Sequence, residues 1–579
     1  MPTVTSHAAA ADALEDSFTL QGLRARQPRG PDGGFDWRWT GPNRDPEWAW
    51  FFNRHGWFPD LWHAWETTAD PRYRDALFTT LGDWIAANPP PRHFSFSHAW
   101  RPLEAARRLL GSWLPLRGAI LEDPAAGSVL TTQFQASLQD HGRHLRAHHA
   151  LGGNHLVTEM LALVRLALSL PGHPPAPDWL AYGLDRLDRS YREQVYPDGA
   201  YKELSSHYQR IVTLNYQQLL DTLREARRDD LTAAWTPRVE RLWAYVRDVT
   251  TPAGFNPLNN DSDREPYARL LRSQAPALAE RPPCHAVHFA WAGQTVFRDT
   301  ANRLWGFFDA GPRGTDHDHA DFLSFTLALG TREFLVDNGR HTYAPGPWRD
   351  YFAGPAAHNI LLLDHRACDQ GPRAVSSAPR RATFQRASRH TLAWGDGVFA
   401  LDGNPRAADW RRIVVHLDDL GWIVLDRVVT FAPHRLSTQW HWHPGCALPA
   451  DPDPAGGLRI RHAESRLRLR LLTNASRGLA ELAVGRTLPA PQGWFSARFN
   501  HREPAPALLH HQDVTGTVIN AWLFQPGDAP EIRAALLQDG RLRLAFENEA
   551  SFILDPAQPE LRPCPGSEPE PVPASATAK

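Results

Sequence analysis

Four segments of this 579-residue chain place side chains capable of acid–base or metal chemistry at short spacing. In "LGGNHLVTEM" the glycines break a preceding helix and Asn154 is suited to N-cap the next one. His155 and Glu159 would then lie one turn apart on one face. The plain alternative is a capped helix with a satisfied His–Glu pair. In "YPDGAYKELSSHYQR" a turn at "PDG" precedes a predicted helix from about Tyr201. That helix would align Tyr201 with Tyr208 and make Glu203 and His207 i,i+4 neighbours. A tyrosine works as a general acid or base when nearby positive charge lowers its pKa from about 10. The alternative is an amphipathic helix with half-buried tyrosines. Lys202, the one lysine besides Lys579, reflects an arginine-biased composition more than a site.

The third segment, "GTDHDHADFLSF", packs His317, Asp318, His319 and Asp321 just before a strand. Asp337 ends the next predicted strand and His358 precedes a third. Two imidazoles and a carboxylate are suitable ligands for zinc or a similar divalent ion. A hairpin turning at Gly330–Thr331 would set Asp337 opposite Ser324 rather than His319, so a metal site here demands a bent or bulged strand. The fourth, "FNPLNNDSDREP", clusters Asn259, Asn260, Asp261 and Asp263 in a loop. Such a loop binds calcium or sugar hydroxyls, or is merely solvated. His144 and His148 have helical metal spacing, but among 28 histidines the pair is assigned to chance.

The elements that must position these groups change character near residue 283. Before it, apolar residues recur at helical spacing between Pro/Gly breaks, as in "PRYRDALFTTLGDWIAANPP", predicting about ten helices and no strand-like run in an all-α domain over 1–283. After it the period becomes two, as in "RRIVVHLDDLGWIVLDRVVTF", predicting an antiparallel β-sandwich domain over 284–555. Residues 556–579 are Pro/Glu/Ser/Ala-rich and are expected to be disordered. Two domains suit a chain well beyond the roughly 250–300 residues at which one core stops growing. A net charge of −2 provides no whole-chain field for nucleic acid or an anionic membrane, and no apolar run approaches a bilayer span. Four scattered cysteines with no CxxC pair argue against a disulfide framework and a thiolate zinc site. No basic n-region or apolar h-region is visible at the start, so a cytoplasmic location is the expectation. Oligomeric state is not legible.

Taken in order, these segments resemble the heparinase II/III family of polysaccharide lyases, which includes related alginate lyases. The resemblance rests on "WRPLEAARRL", "NH…E", "DGxxxExSxxY", the "NDSD" loop and the run "HxHADxLSFxLxxxGxxxLVDxGxxxY…AAHN". It implies an incomplete α/α toroid followed by an antiparallel β-sheet sandwich domain. It also implies β-elimination on a uronic-acid-containing polysaccharide or oligosaccharide, leaving a 4,5-unsaturated uronate. By the same resemblance, Asn154 and His155 engage the uronate carboxylate and His155 shares in proton abstraction. Tyr208 is the principal acid/base, and His317 neutralises charge or carries a second proton. Tyr343, Glu159, Glu203, Arg108 and Asn260 are the candidate substrate-binding residues; the resemblance fixes no substrate-selecting set, and Arg101, Arg107 and Arg108 are suited by residue type to contact sulfate or carboxylate. His319, Asp337 and His358 match the family's metal positions, for a structural divalent ion such as zinc. On a straight strand the rings of His317 and His319 would stand side by side. The implied partner is an acidic glycan, and most resembling lyases are exported, which makes a periplasmic location the alternative. A metal-dependent hydrolase centred on His317–His319 and a non-catalytic acidic-glycan-binding protein are the competing functions.

Overall fold

Short capped helices build the first part of the chain. Asp45 and Asp70 each precede a proline and accept the backbone N–H two residues on, at 3.0 Å, starting helices Pro46–Asn53 and Pro71–Ala87. Proline is tolerated there because the first helical N–H has no partner within the helix. The computed structural model describes residues 7–91, 97–280, 286–299, 303–369, 383–386, 390–545 and 551–564. Helices dominate as far as Gln274 and strands from Ala286 onward. By contact the chain forms two compact units, residues 1–195 with 210–240, and residues 196–209 with 241–579.

In the first unit the helix Gly153–Ser169 is buried over most of its length. It packs against helices Pro102–Arg108, Gly127–Ala147 and Ala176–Gln194. The approach is close: a Cβ on Gly142 would meet the Trp179 ring at 2.2 Å, so only glycine fits there. One expectation fails in this region. Ser17–Leu20 and Leu23–Arg26 form a two-stranded hairpin, turning through Gln21 and Gly22, both at positive φ. The "QG" dipeptide was a turn signal of the right kind.

The second unit is a stack of antiparallel sheets. A five-stranded sheet runs in sequence order, Ala286–Phe289, Gln294–Arg298, Leu304–Asp309, Ser324–Leu329 and Arg332–Leu335. A ten-stranded sheet is built around two 21-residue strands, Gly421–His441 and Pro506–Pro526. Phe325 and Leu327 of the smaller sheet share a core with Trp422, Val424, Trp440 and Trp522 of the larger. Ile423, Leu425, Ile519 and Leu523 pack on the other face, against Leu542, Leu544, Leu554 and Leu561 of a four-stranded sheet. Burial on both faces explains why "GWIVLDRVV" runs apolar instead of alternating. Leu561–Pro563 is a paired strand, which corrects the expectation of disorder from residue 556; residues 565–579 lie outside the described residues. Of the cysteines, Cys368 and Cys446 are buried, Cys564 is half-buried, and Cys284 lies outside the described residues. No described helix is long and apolar enough to cross a membrane.

Between the sheets, Arg412 and Asp426 form a fully buried bidentate pair at 2.8 and 2.9 Å. Arg412 also donates to the carbonyls of Leu323 and Asn359, tying the loops around His319 and His358 to the sheet. Removing one member of such a pair leaves an uncompensated buried charge. Arg412→Leu should therefore lower the unfolding free energy by about 3–5 kcal/mol. The double variant Arg412→Leu/Asp426→Leu should lose clearly less, as read by chemical denaturation.

Candidate functional site

The loop carrying "NNDSD" is buried, with the Asp261 side chain almost inaccessible, which excludes the merely solvated alternative. Serines make the connection to the next segment. Ser262 Oγ lies 3.0 Å from both Ser205 Oγ and Ser206 Oγ and accepts the His207 N–H at 3.2 Å. This fastens the loop to the start of the helix Ser206–Glu225. That helix begins five residues later than predicted, so Tyr201 and Tyr208 do not share a helical face. Leu204, at φ 55°, ends the preceding turn and prevents a helix from running through. Glu203 consequently does not pair with His207. Its carboxylate accepts the Tyr201 hydroxyl at 3.0 Å, and His207 pairs with Glu265 at 3.2 Å.

Tyr208 stands in the first turn of that helix with its ring stacked on His317, centroids 3.8 Å apart and planes inclined by 15°. Its hydroxyl is 2.8 Å from the Tyr343 hydroxyl. Arg340 donates to Tyr343 at 2.7 Å and is held by the Asp263 carboxylate, with Nε at 2.9 Å. Burial pushes the Tyr208 phenol well above its ordinary pKa; Tyr343 reinforces this and Arg340 opposes it. Burial likewise pushes Tyr343 up to about 12. Both phenols are therefore neutral at rest.

His317 Nδ1 lies 3.1 Å from Asp261 Oδ2 and its Nε2 lies 3.9 Å from Glu203 Oε2. His319 Nε2 reaches the other Asp261 oxygen at 2.8 Å, and Arg349 donates to both. Burial alone would raise the Asp261 carboxyl, but the bonds from His317, His319 and Arg349 hold it well below the usual range. An ionised carboxylate only accepts, so His317 must carry a proton on Nδ1. The two histidines do not stand side by side on a strand, as expected, but converge on one carboxylate from a bent loop. His317 is at φ 61°, in the left-handed region that few non-glycine residues occupy.

His319, Asp337 and His358 come together with donor atoms within 4.8 Å of one another, all buried. The bulge demanded by the sequence is present: pairing slips by one residue between Leu327 and Ala328, after which the chain leaves the strand at Leu335. His358 Nδ1 donates to Asp337 Oδ2 at 2.9 Å, while its buried Nε2 has no hydrogen-bond partner. A nitrogen of that kind beside an imidazole and a carboxylate fits a zinc ion. The Asp261–His319 bond would be the outer carboxylate that orients a metal-binding imidazole. His317 stands outside this group of three.

Other assignments change. Asn154 lies inside the first turn of Gly153–Ser169, whose cap position is Gly152, so it is not the N-cap; His155 follows on the same helix. Arg108 is fully buried, donates to the carbonyls of Asn53 and Ala99 and to His141, and lies 4.0 Å over the Trp84 ring. It is a core arginine and not an anion contact. Arg101 pairs with Glu104 at 2.7 Å. Asn260 donates to Leu204 O and accepts the His319 N–H, so its amide positions loops rather than facing a sugar. Arg340 and Arg349 carried no signal in a chain so rich in arginine, although both lie within the motif that ends at His358.

Glu159 is buried and accepts the Ala150 N–H at 2.7 Å. Burial raises its pKa to about 7, only partly opposed by that bond and by Arg101. The folded state thus holds this proton more tightly than the unfolded chain, and the stabilisation is lost as pH rises from about 4.5 towards about 7. Glu159→Gln should remove that loss, making the protein about 2–3 kcal/mol more stable than wild type above neutrality and nearly equal in mild acid. Denaturant unfolding at the two pH values measures this.

Residues 4–282 match the family described as heparinase II/III N-terminus, and residues 281–534 match heparinase II/III-like, C-terminal. A heparin-sulfate lyase of Bacteroides stercoris is 23% identical over 406 residues, covering 62% of this chain and 60% of that protein. One of Pedobacter heparinus is 23% identical over 442 residues, covering 71% and 64%. The chain thus spans about three fifths of the length of the curated relatives it matches. A crystal structure of heparinase III shares the fold at TM-score 0.79 and 17% identity, covering 96% of this chain and 91% of that one. Heparan sulfate lyase HepC from Pedobacter heparinus does so at TM-score 0.65 and 20% identity, covering 97% and 89%. With both family matches meeting where helices give way to strands, the chain belongs to the heparinase II/III family.

Proposed function

We propose that this protein is a polysaccharide lyase that cleaves heparan-type glycosaminoglycan chains beside a uronic acid by β-elimination. The observation that carries this reading is the stacked Tyr208–His317 pair, with Asp261 behind the imidazole and Tyr343–Arg340 behind the phenol. Family membership and the heparin-sulfate lyase relatives support the substrate class.

β-Elimination needs a base for the C5 proton, an acid for the departing O4, and neutralisation of the adjacent carboxylate as charge moves into it. Tyr208, neutral at rest, is ready to donate its proton to O4. The phenolate that remains is stabilised by the Tyr343 hydroxyl, which Arg340 polarises. His317, with its Nδ1 proton fixed by Asp261, presents Nε2 to accept the C5 proton, so the proton Tyr208 gives to O4 is matched by the one gained at the imidazole. The carboxylate-engaging roles of Asn154 and His155 rest on the family resemblance alone, and Tyr343, hydrogen-bonded to Tyr208, is placed to contact the sugar. A zinc ion held by His319, Asp337 and His358 would supply a structural cross-link between loops and take no part in bond cleavage.

Incubation with heparan sulfate, hyaluronan, alginate and glucuronan should give rising ultraviolet absorbance from the conjugated product with the first of these. No unsaturated product from any of the four would overturn the lyase reading. Tyr208→Phe should reduce turnover at least about 100-fold with an unchanged unfolding curve. His358→Ala should abolish bound zinc and lower the thermal midpoint, while turnover per folded molecule stays close to wild type. Metal analysis and calorimetry of that variant separate a structural ion from a catalytic one.

A further inference from the structure

Asp337 lines a second feature besides the imidazole-bearing group. A cavity of about 10 Å³ is bounded by Asn259, Asp309, Asp321, Ser324, Thr326 and Asp337, together with Pro257 and Phe307. Each of the six polar side chains is more than nine-tenths buried. The sheet places three of them. Asp309 pairs directly with Ser324 and Phe307 with Thr326, so these side chains emerge on one face of neighbouring strands. Asp321 precedes the strand, its carbonyl accepting the Ser324 N–H at 2.9 Å, and Asp337 comes in from the segment just beyond the next strand, which the bulge between Leu327 and Ala328 redirects.

The oxygens here are unusually short of donors. Asn259 Oδ1, Asp321 Oδ2, Ser324 Oγ and Thr326 Oγ1 are buried and make no hydrogen bond. Buried polar atoms in folded proteins are nearly always satisfied, and a group of four around one small cavity calls for a shared partner. Charge points the same way. Asp309 accepts neutral donors, Gln294 Nε2 and the Gly311 N–H, each at 2.9 Å. Among the described residues the one ion pair made by the three carboxylates is His358–Asp337. Asp309 and Asp321 form no ion pair among the described residues, and His358, already paired with Asp337, is the positive group acting on Asp321, so three buried carboxylates share one imidazole, an arrangement that is costly unless further charge compensates it.

We propose that these six residues form a second cation site, ligated by oxygen alone and taking Ca²⁺, with Asp337 shared between it and the His319–His358 group. Carboxylate, amide and hydroxyl oxygens without nitrogen or sulfur select a hard ion over zinc. An all-protein oxygen set of this number suits calcium, because magnesium retains several of its waters. The cavity has room for one atom-sized occupant and no more. The site would join the five-stranded sheet to the two loops that carry Asp261 and Arg340, so calcium would stiffen the surroundings of Tyr208 and His317 without touching either.

The test uses the full chain, stripped with chelator and then titrated with Ca²⁺ alone, by calorimetry and by metal analysis after dialysis. One Ca²⁺ per chain should bind and raise the thermal midpoint. His358→Ala should keep that ion while losing zinc. Asp309→Asn should lose it while keeping zinc. Thr326→Val, a shape-preserving change that deletes one oxygen and folds even where Asp309→Asn does not, should weaken Ca²⁺ about tenfold. Absence of Ca²⁺ binding by the wild-type chain would overturn the proposal. So would Ca²⁺ binding abolished by His358→Ala yet unmoved by Thr326→Val, which would place the ion in the imidazole group.

Discussion

Four hydrogen-bond donors converge on the Asp261 carboxylate, from His317, from His319 and twice from Arg349. In water such an arrangement would contribute little, because each donor has a solvent alternative. Here the carboxylate is buried, so its ionised state depends on those donors and each donor's position depends on it. One side chain thereby sets the tautomer of the histidine stacked on Tyr208 and the ring orientation of a histidine in the metal-competent group. The backbone N–H of Asp261 also donates to the His317 carbonyl at 3.1 Å, which helps hold that residue in its left-handed conformation.

A second charged relay runs on the other side of Tyr208. Asp263, two residues beyond Asp261, fixes Arg340, which donates to Tyr343, whose hydroxyl meets that of Tyr208. The "NDSD" loop therefore supplies a carboxylate to each half of the site, one through an imidazole and one through a guanidinium and a phenol. Alternate loop residues do this because Ser262 between them is turned the other way, into the serines at the start of the helix. Both relays rest on the stacked sheets, where the buried Arg412–Asp426 pair ties the neighbouring loops down through the carbonyls of Leu323 and Asn359.

The candidate site was partly legible before any coordinates. Residue type and spacing offered Tyr201, Tyr208, His317, His319, Asp337 and His358 as candidates, the family resemblance chose among them, and the need for a bent or bulged strand followed from counting the hairpin register. The misreadings share a cause. Arg108 was taken as an anion contact because arginine type suggests it, yet its guanidinium lies among Trp84, Trp100 and Trp113. The start of the Tyr208 helix was placed too early because "AYKELSS" has helical composition, and the left-handed Leu204 that ends the turn leaves no mark in a single sequence. The "NDSD" loop could be read as a calcium or sugar site or as plain solvated surface, because composition does not show that its side chains are consumed by partners from other segments.

What the sequence determined by itself is the succession of helices and strands and their change of period near residue 283. Those follow from side-chain pattern and local backbone preference, which act over a few residues. It also determined which residue types were available for proton transfer and metal ligation. Tertiary structure alone decided which of them meet: that Asp261 joins His317 to His319, that Arg340 reaches Tyr208 through Tyr343, and that Asp337 closes on both His358 and a cavity of oxygens. Hydrogen bonds and buried charges operate at about 3 Å between residues far apart in the chain, and no spacing along one strand encodes such distances.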